Sequence, residues 1–324
     1  NLWYCESISA TNPCGEVPLP ADGACDLGSI NLAMAVSAPF SAAAAVDYER
    51  LEHLSAVAVR FLDNVIDVSR FPLEKQAAQA RRTRRIGLGI TGLGDALAML
   101  GLRYDSANAR RVAADIMRRI RDSAYYASIQ LAAEKGSFPA FDAARYCESP
   151  FVRRLPGELR KALRRYGIRN SHILSIAPAG TISLLAGNIS SGVEPIFALE
   201  AKRSIRDAKQ QSRDVALDDF AYRRWREQAG AGAVPPDSFV TADALGGEAH
   251  LAMQACLQPF VDNSISKTIT LLPRATADTV DEIFRQAHAE GIKGCTVFRP
   301  GSMRGQVIRM RDESHCCGVE RECD

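Results

Sequence analysis

A chain of 324 residues, 47% hydrophobic and 24% charged, has the make-up of an ordinary globular protein, with apolar material for one large domain or two medium ones. Its 40 basic and 38 acidic residues leave a net charge of +2, which excludes a global field for nucleic acid or an anionic membrane. No apolar run reaches the roughly 18 residues of a spanning helix, and the opening Asn1-Leu2-Trp3-Tyr4-Cys5 lacks the flank and apolar stretch of a signal peptide. Neither a membrane nor a nucleic acid is expected as a partner.

The absence of an initiator methionine raises the expectation that further sequence precedes Asn1. Nine cysteines, an odd number scattered along the chain, argue against a secreted disulfide framework and for a reducing cytoplasm.

In chain order, the first forty residues read as loop and turn, because Pro13, Gly15, Pro18, Pro20, Gly23 and Gly28 interrupt any period. Within them lies Asn12-Pro13-Cys14-Gly15-Glu16, followed by Cys25-Asp26-Leu27-Gly28-Ser29-Ile30-Asn31-Leu32. In an extended segment, positions 12, 14 and 16 project to one side. Asn12 can then hydrogen-bond a substrate hydroxyl, Glu16 can take a proton from one, and Cys14 supplies sulfur chemistry. The same stretch also reads as a turn with an incidental cysteine, and periodicity does not choose between the two.

Apolar residues at helical spacing predict a helix over Tyr48–Val68. Arg81, Arg82, Arg84 and Arg85 read as a solvated entry to a strand over Ile86–Ile90. Gly87-Leu88-Gly89-Ile90-Thr91-Gly92 fits the dinucleotide-binding pattern, but no acidic residue stands about 20 positions on to hold a ribose. It reads better as a glycine-rich strand-to-helix turn; a nicotinamide-dependent oxidoreductase is the competing reading. A second helix is predicted over Ser106–Lys135, ended by Gly136, with Arg110, Arg118, Arg119 and Arg121 mostly facing out.

The next strand, Ile173–Ala177, leads into Pro178-Ala179-Gly180-Thr181-Ile182-Ser183. A strand, a tight glycine turn and a helix start present free N–H groups at a positive dipole end, with Thr181 and Ser183 as added hydroxyl donors. An ordinary capped helix fits the same residues. Gln228–Pro236 is a Gly/Ala/Pro-rich loop, Ile265–Leu272 and Cys295–Phe298 read as strands, and Ala277–Ala289 as the helix between them. Lys267 and Arg299 are best read as solvent-facing or strand-end charges. The tail after Pro300 is polar and irregular. Alternating strands and helices make the fold α/β with parallel pairing.

The Asn12-x-Cys14-x-Glu16 arrangement, with the longer run from Trp3 through Leu32, resembles the active-site loop of ribonucleotide reductases, and among them the adenosylcobalamin-dependent class. Similar wording recurs at Arg85–Gly94, Gly187–Pro195, Ser264–Thr270 and Gly291–Gly301. The resemblance implies a thiyl-radical reduction of ribonucleotides to 2′-deoxyribonucleotides. Cys14 would carry the radical that takes the 3′ hydrogen, Glu16 would be the base on the 3′ hydroxyl, and Asn12 would hydrogen-bond the ribose. Cys25 would be one of the two reducing thiols.

The resemblance also implies that the 178–183 turn holds the substrate phosphates, although a hydroxyl residue is expected where Ala179 stands. It implies the second half of a ten-stranded α/β barrel. Residues 1–303 would then be the barrel, with the finger loop at about 8–32, and residues 304–324 a polar tail. His315-Cys316-Cys317 and Cys323 would be a shuttle dithiol serving a thioredoxin-type reductant; the paired spacing of a zinc site is absent. The implied partners are a ribonucleotide and an amino-terminal half of the reductase. Without that half, the chain is expected to be unstable or inactive. A catalytically silent remnant, or the partner of a split reductase, is the alternative.

Overall fold

The computed structural model describes residues 1–206, 212–230, 232–299 and 308–310. At its centre lies a strand of unusual composition, Ile86–Thr91, every residue of which is buried. On one side it pairs in parallel with Asp26–Asn31, Asp26 opposite Ile86 and Asn31 opposite Thr91. On the other it is bonded to residues 172–175: the N–H groups of Ile86 and Leu88 donate to the carbonyls of His172 and Ile173 at 3.0 and 2.8 Å, and Ser175 N donates to Leu88 O at 3.1 Å.

The ladder continues in the same sense. Ile176 bridges Ile265 in parallel, and Thr268–Thr270 pairs in parallel with Thr296–Phe298. Parallel neighbours cannot be joined by tight turns, and helices fill the crossovers. Tyr48–Val68 and Glu74–Thr83 lie in the first, Ala107–Lys135 in the second, Gly247–Leu257 in the third and Ala277–Ala289 in the fourth.

The three longest helices among the described residues start where the sequence supplies a cap. Asp47 accepts from Arg50 N, Ser106 from Ala109 N and Thr276 from Thr279 N, which satisfies donors that a helix start leaves free. Gly136, at φ +84°, ends the long helix. Ile116, Ile120, Ala124 and Leu131 of that helix join Leu51, Val59, Leu62 and Ile66 of Tyr48–Val68 in the main apolar cluster.

The glycines of the central strand are spacers. A β-carbon on Gly89 would lie 2.3 Å from Ser175 O and 3.1 Å from Ile176 Cα, so only a bare backbone lets these segments meet. Gly89→Ala is therefore expected to destabilise the fold by about 2–3 kcal/mol through overpacking, read as a lower urea midpoint at unchanged slope.

Several expectations are corrected. The opening residues are not all loop: Asp26–Asn31 is a strand, and Ala10–Thr11 pairs antiparallel with Pro18–Leu19. These segments are short and carry glycine or proline, so pairing partners rather than local preference extend them. The arginine run is only half solvated. Arg84 and Arg85 are buried, Arg84 bonded to Asp63 and Asp67 and Arg85 to Glu6, as buried charges require.

Arg121 is also buried, beside Asp122 and over the Phe260 ring. Lys267 is neither solvent-facing nor a free strand-end charge, since its side chain is fully buried. Gln228 and Ala229 belong to the helix Phe220–Ala229 rather than to the loop after it. Inside the stretch read as irregular tail, Ile308–Met310 pairs with Ala201–Arg203. Among the described residues no helix is long and apolar enough to cross a membrane.

Candidate active site

The short hairpin Ala10–Thr11/Pro18–Leu19 carries residues 12–17 at its tip. Asn12 O accepts from Gly15 N at 3.1 Å and Asn12 N donates to Val17 O at 3.2 Å, while Asn12 Oδ1 accepts from Val17 N at 3.0 Å. Pro13 suits the turn by its fixed φ, and Gly15 supplies the φ of +80°. The tip is thus a closed turn, and the extended spacing that would line positions 12, 14 and 16 on one side does not occur. The side chain of Asn12 is partly spent on holding the turn.

The turn separates its two reactive groups by exposure. Cys14 is an exposed free thiol. Glu16 is only 2% exposed, and its Oε2 is buried without a hydrogen-bond partner. A buried carboxylate oxygen left open is costly, so it marks a place where a donor from outside the chain can be received. The hairpin is pinned to the sheet through the same residue: Glu16 O accepts from Ser264 N at 2.9 Å and from Ser175 Oγ at 2.8 Å.

Cys25 stands directly before the edge strand, half-buried, with its thiol 3.7 Å from Asp26 O. Burial pushes the Cys25 thiol well up, against the opposing charge of Arg85. It is therefore held as S–H at neutral pH, able to give hydrogen but a poor thiolate nucleophile. Its sulfur lies 3.3 Å from where a β-carbon on Gly87 would stand.

The 178–183 turn follows the segment ending at Ile176. Ala179 adopts the left-handed conformation, φ 57° and ψ 23°, and caps the helix Gly180–Leu185 without a side-chain bond. Gly180, Thr181 and Ile182 are exposed. Ser183 points the other way: its hydroxyl donates to Gly180 O at 2.8 Å and meets Ser191 Oγ at 3.1 Å, which leaves Thr181 as the outward hydroxyl. An alanine in this conformation costs about 1–2 kcal/mol. Ala179→Gly is expected to recover about 0.5–1 kcal/mol after glycine's larger entropy loss, measurable by urea unfolding.

The other glycine-rich turn is filled by the chain itself. Ser190 O accepts from Gly92 N at 2.7 Å and Ser190 Oγ accepts from Asp95 N at 3.3 Å. Asp95 in return accepts from Ser190 N and Ala221 N at 2.6 and 3.1 Å. Those amides are the ones a pyrophosphate would need, so the dinucleotide reading of Gly87–Gly92 falls.

Lys267 donates to Glu194, to Thr268 O at 2.7 Å and toward His250 Nδ1 at 2.7 Å, so its ammonium is fully engaged inside the fold. The guanidinium of Arg299 donates to Ala275 O at 3.3 Å. Cys5, Cys147, Cys256 and Cys295 are free thiols, Cys147 buried and the others half-buried. Cys316, Cys317 and Cys323 lie outside the described residues. Ser175 and Ser264 escaped the reading of the sequence. For Ser175 the signal was a hydroxyl in the middle of an otherwise apolar, buried run; Ser264, set among Asp262, Asn263, Ser266 and Lys267, carries none.

Comparison with known proteins decides the family. The model of the ribonucleotide reductase barrel domain matches residues 1–298. The chain belongs to that family. A vitamin B12-dependent ribonucleoside-diphosphate reductase of Mycobacterium tuberculosis (strain CDC 1551 / Oshkosh) is 42% identical over 317 residues, covering 93% of this chain and 43% of the relative. A protein of the same name from Thermoplasma acidophilum is 34% identical, covering 93% of this chain and 39% of its own length. A ribonucleoside-diphosphate reductase large chain of Encephalitozoon cuniculi is 30% identical over 202 residues, 58% of this chain and 26% of the relative. The chain thus spans about two-fifths of the two B12-dependent reductases. In this reductase barrel domain, the hairpin tip and the head of the edge strand hold Cys14, Glu16 and Cys25.

Proposed function

We propose that this barrel domain carries the catalytic centre of an adenosylcobalamin-dependent ribonucleotide reductase acting on ribonucleoside diphosphates, the substrate in the names of its B12-dependent relatives. The observation that carries the reading is the hairpin tip, an exposed thiol two residues from a buried carboxylate with an open oxygen. A carbon–hydrogen bond of ribose is beyond acid–base catalysis alone, and adenosylcobalamin, when bound, supplies the radical chemistry. The exposure of Cys14 fits hydrogen exchange with a generator outside the chain, and the exchange requires no metal ligand from this domain.

In this reading the Cys14 thiyl takes the 3′ hydrogen while Glu16 Oε2 receives the proton of the 3′ hydroxyl. Asn12 hydrogen-bonds the ribose. The 2′ hydroxyl leaves as water, two thiols give two electrons and two protons and become a disulfide, and Cys14 returns the hydrogen to C3′, regaining its radical. Cys25 is one of them; its burial in the S–H form suits a hydrogen donor. The second thiol belongs to an amino-terminal half of the barrel. Pro178, Ala179, Gly180, Thr181 and Ile182 cradle the phosphates by backbone N–H groups with the Thr181 hydroxyl, and Ser183 braces the turn from within.

Residues 1–303 are assigned to the second half of a ten-stranded barrel and 304–324 to a tail whose Cys316, Cys317 and Cys323 pass electrons from a thioredoxin-type reductant. Among the described residues the strand Asp26–Asn31 is paired on one side only, which supports docking of the other half at that edge. The test is turnover by the product of the native reading frame, given a ribonucleoside diphosphate, dithiothreitol and adenosylcobalamin. Deoxyribonucleotide formed only when all three are present supports the assignment. A folded, nucleotide-binding protein that makes none is a silent member of the family.

A further inference from the structure

Ser175 is fully buried between Leu174 and Ile176, where every neighbour along the chain is apolar. A buried hydroxyl needs a partner, and this one is not in the sheet: Oγ donates to Glu16 O at 2.8 Å. Its own Cβ lies 2.8 Å from the place where Gly87 would carry a β-carbon, and Cys25 Sγ lies 3.3 Å from that same point. Ser175 and Cys25 therefore crowd one bare spot on the central strand. Gly89, whose β-carbon would stand 2.3 Å from Ser175 O, draws the two backbones equally close. Glu16 comes from the hairpin and Cys25 from the head of the edge strand; Ser175 bonds the first and shares with the second, and with Leu27, the space over Gly87.

We propose that Ser175 is a positioning residue for the reaction: its hydroxyl sets Glu16 relative to Cys25, and Gly87 is bare so that it can lie between them. The inference rests on the roles given to Glu16 and Cys25 under the proposed function. It also accounts for the glycine-rich run, which spaces the site instead of cradling a dinucleotide. A base and a hydrogen donor that act on neighbouring carbons of one ribose must hold a fixed separation, and a shift of 1 Å at such a site costs about 10²-fold in rate. Glu16 O keeps its bond from Ser264 N when Ser175 is truncated, so the loss is partial.

The experiment is steady-state reduction of a ribonucleoside diphosphate by the product of the native reading frame, with Kd for the same nucleotide and melting temperature recorded for each variant. Ser175→Ala is expected to lower kcat roughly tenfold while KM and Kd stay within about twofold. Ser175→Cys, of similar size with a weaker donor, is expected to fall between serine and alanine. Gly87→Ala keeps the hydroxyl but pushes on Leu27 Cδ2 and on Ser175 Cβ, 2.5 and 2.8 Å from the added carbon, so it shifts Ser175 without deleting its donor and serves if Ser175→Ala folds poorly.

A merely structural serine would change melting temperature and active fraction alike and give no intermediate cysteine variant. An alanine variant with kcat within about twofold of the parent, or a loss carried by KM, overturns the proposal. Glu16→Gln separates the two levels of inference. If it turns over normally, the assignment of the base itself falls. If it is inactive while Ser175→Ala is unimpaired, only the role of Ser175 falls.

Discussion

Replacing Cys14 by serine is expected to abolish deoxyribonucleotide formation, by at least about 10³-fold in kcat, with nucleotide Kd changed by less than about twofold. The two side chains differ by one atom of similar size. The hydrogen bonds that shape the tip run through Asn12 and the backbone of Gly15 and Val17, not through the sulfur. Cys14 is exposed, so the change opens no cavity and strands no buried partner. Under the proposed function, what it removes is an S–H bond weak enough to exchange a hydrogen atom with a cofactor on one side and a sugar carbon on the other; an alcohol O–H is too strong. Product analysis under single-turnover conditions, beside equilibrium nucleotide binding, makes the check. Deoxyribonucleotide formed by the serine variant at more than a trace would place the radical carrier elsewhere in the chain.

The residues proposed to react are ones the sequence singles out, because chemistry restricts residue type. A thiol flanked by an amide and a carboxylate at fixed spacing has few uses, and the order of Asn12, Cys14 and Glu16 survives any local conformation. Their arrangement was not legible. Alternation puts positions 12, 14 and 16 on one face only if the segment is extended, whereas Pro13 and Gly15 close it into a turn with Cys14 outside and Glu16 inside.

Helices with strong apolar periods and caps, Tyr48–Val68, Ala107–Lys135 and Ala277–Ala289, could be read to within a residue. The strand Asp26–Asn31 could not, because a half-buried segment with a central glycine becomes a strand only through its neighbour. The same limit hid Lys267. Nothing local to a lysine tells that Glu194, 73 positions earlier, will pair with it inside the fold. It equally hid Ser175, whose partner lies in a hairpin 159 positions earlier.

The largest effect on stability is expected at Asp63, which no motif points to. Its carboxylate is fully buried where several elements meet behind the sheet. It accepts from Arg84 Nε at 2.8 Å and from Asn170 Nδ2 at 3.1 Å, and it pairs with Arg169 at 3.3 Å and Lys135 at 3.4 Å. Arg84 caps the helix Glu74–Thr83 in a left-handed conformation and is itself buried, so without Asp63 only the half-exposed Asp67 is left as its ion-pair partner.

Removing one member of such a set strands the others, which makes Asp63→Ala cost roughly 3–5 kcal/mol, more than the overpacking at Gly89. Burial raises the Asp63 carboxyl, but the hydrogen bond and charge of Arg84, then Arg169 and Asn170, outweigh it and hold the group below its ordinary value. A carboxyl lower in the folded than in the unfolded chain stabilises fully above the unfolded value of about 3.9 and loses that contribution as pH falls through the folded one.

Urea midpoints of the parent and Asp63→Asn should therefore differ at neutral pH and draw together progressively as the pH is lowered from about 4 through the folded value. The asparagine variant lacks the acid-sensitive part while keeping the volume. A gap as wide in acid as at neutrality would mean that Asp63 stabilises the fold by shape and hydrogen bonding alone, with its charge contributing nothing.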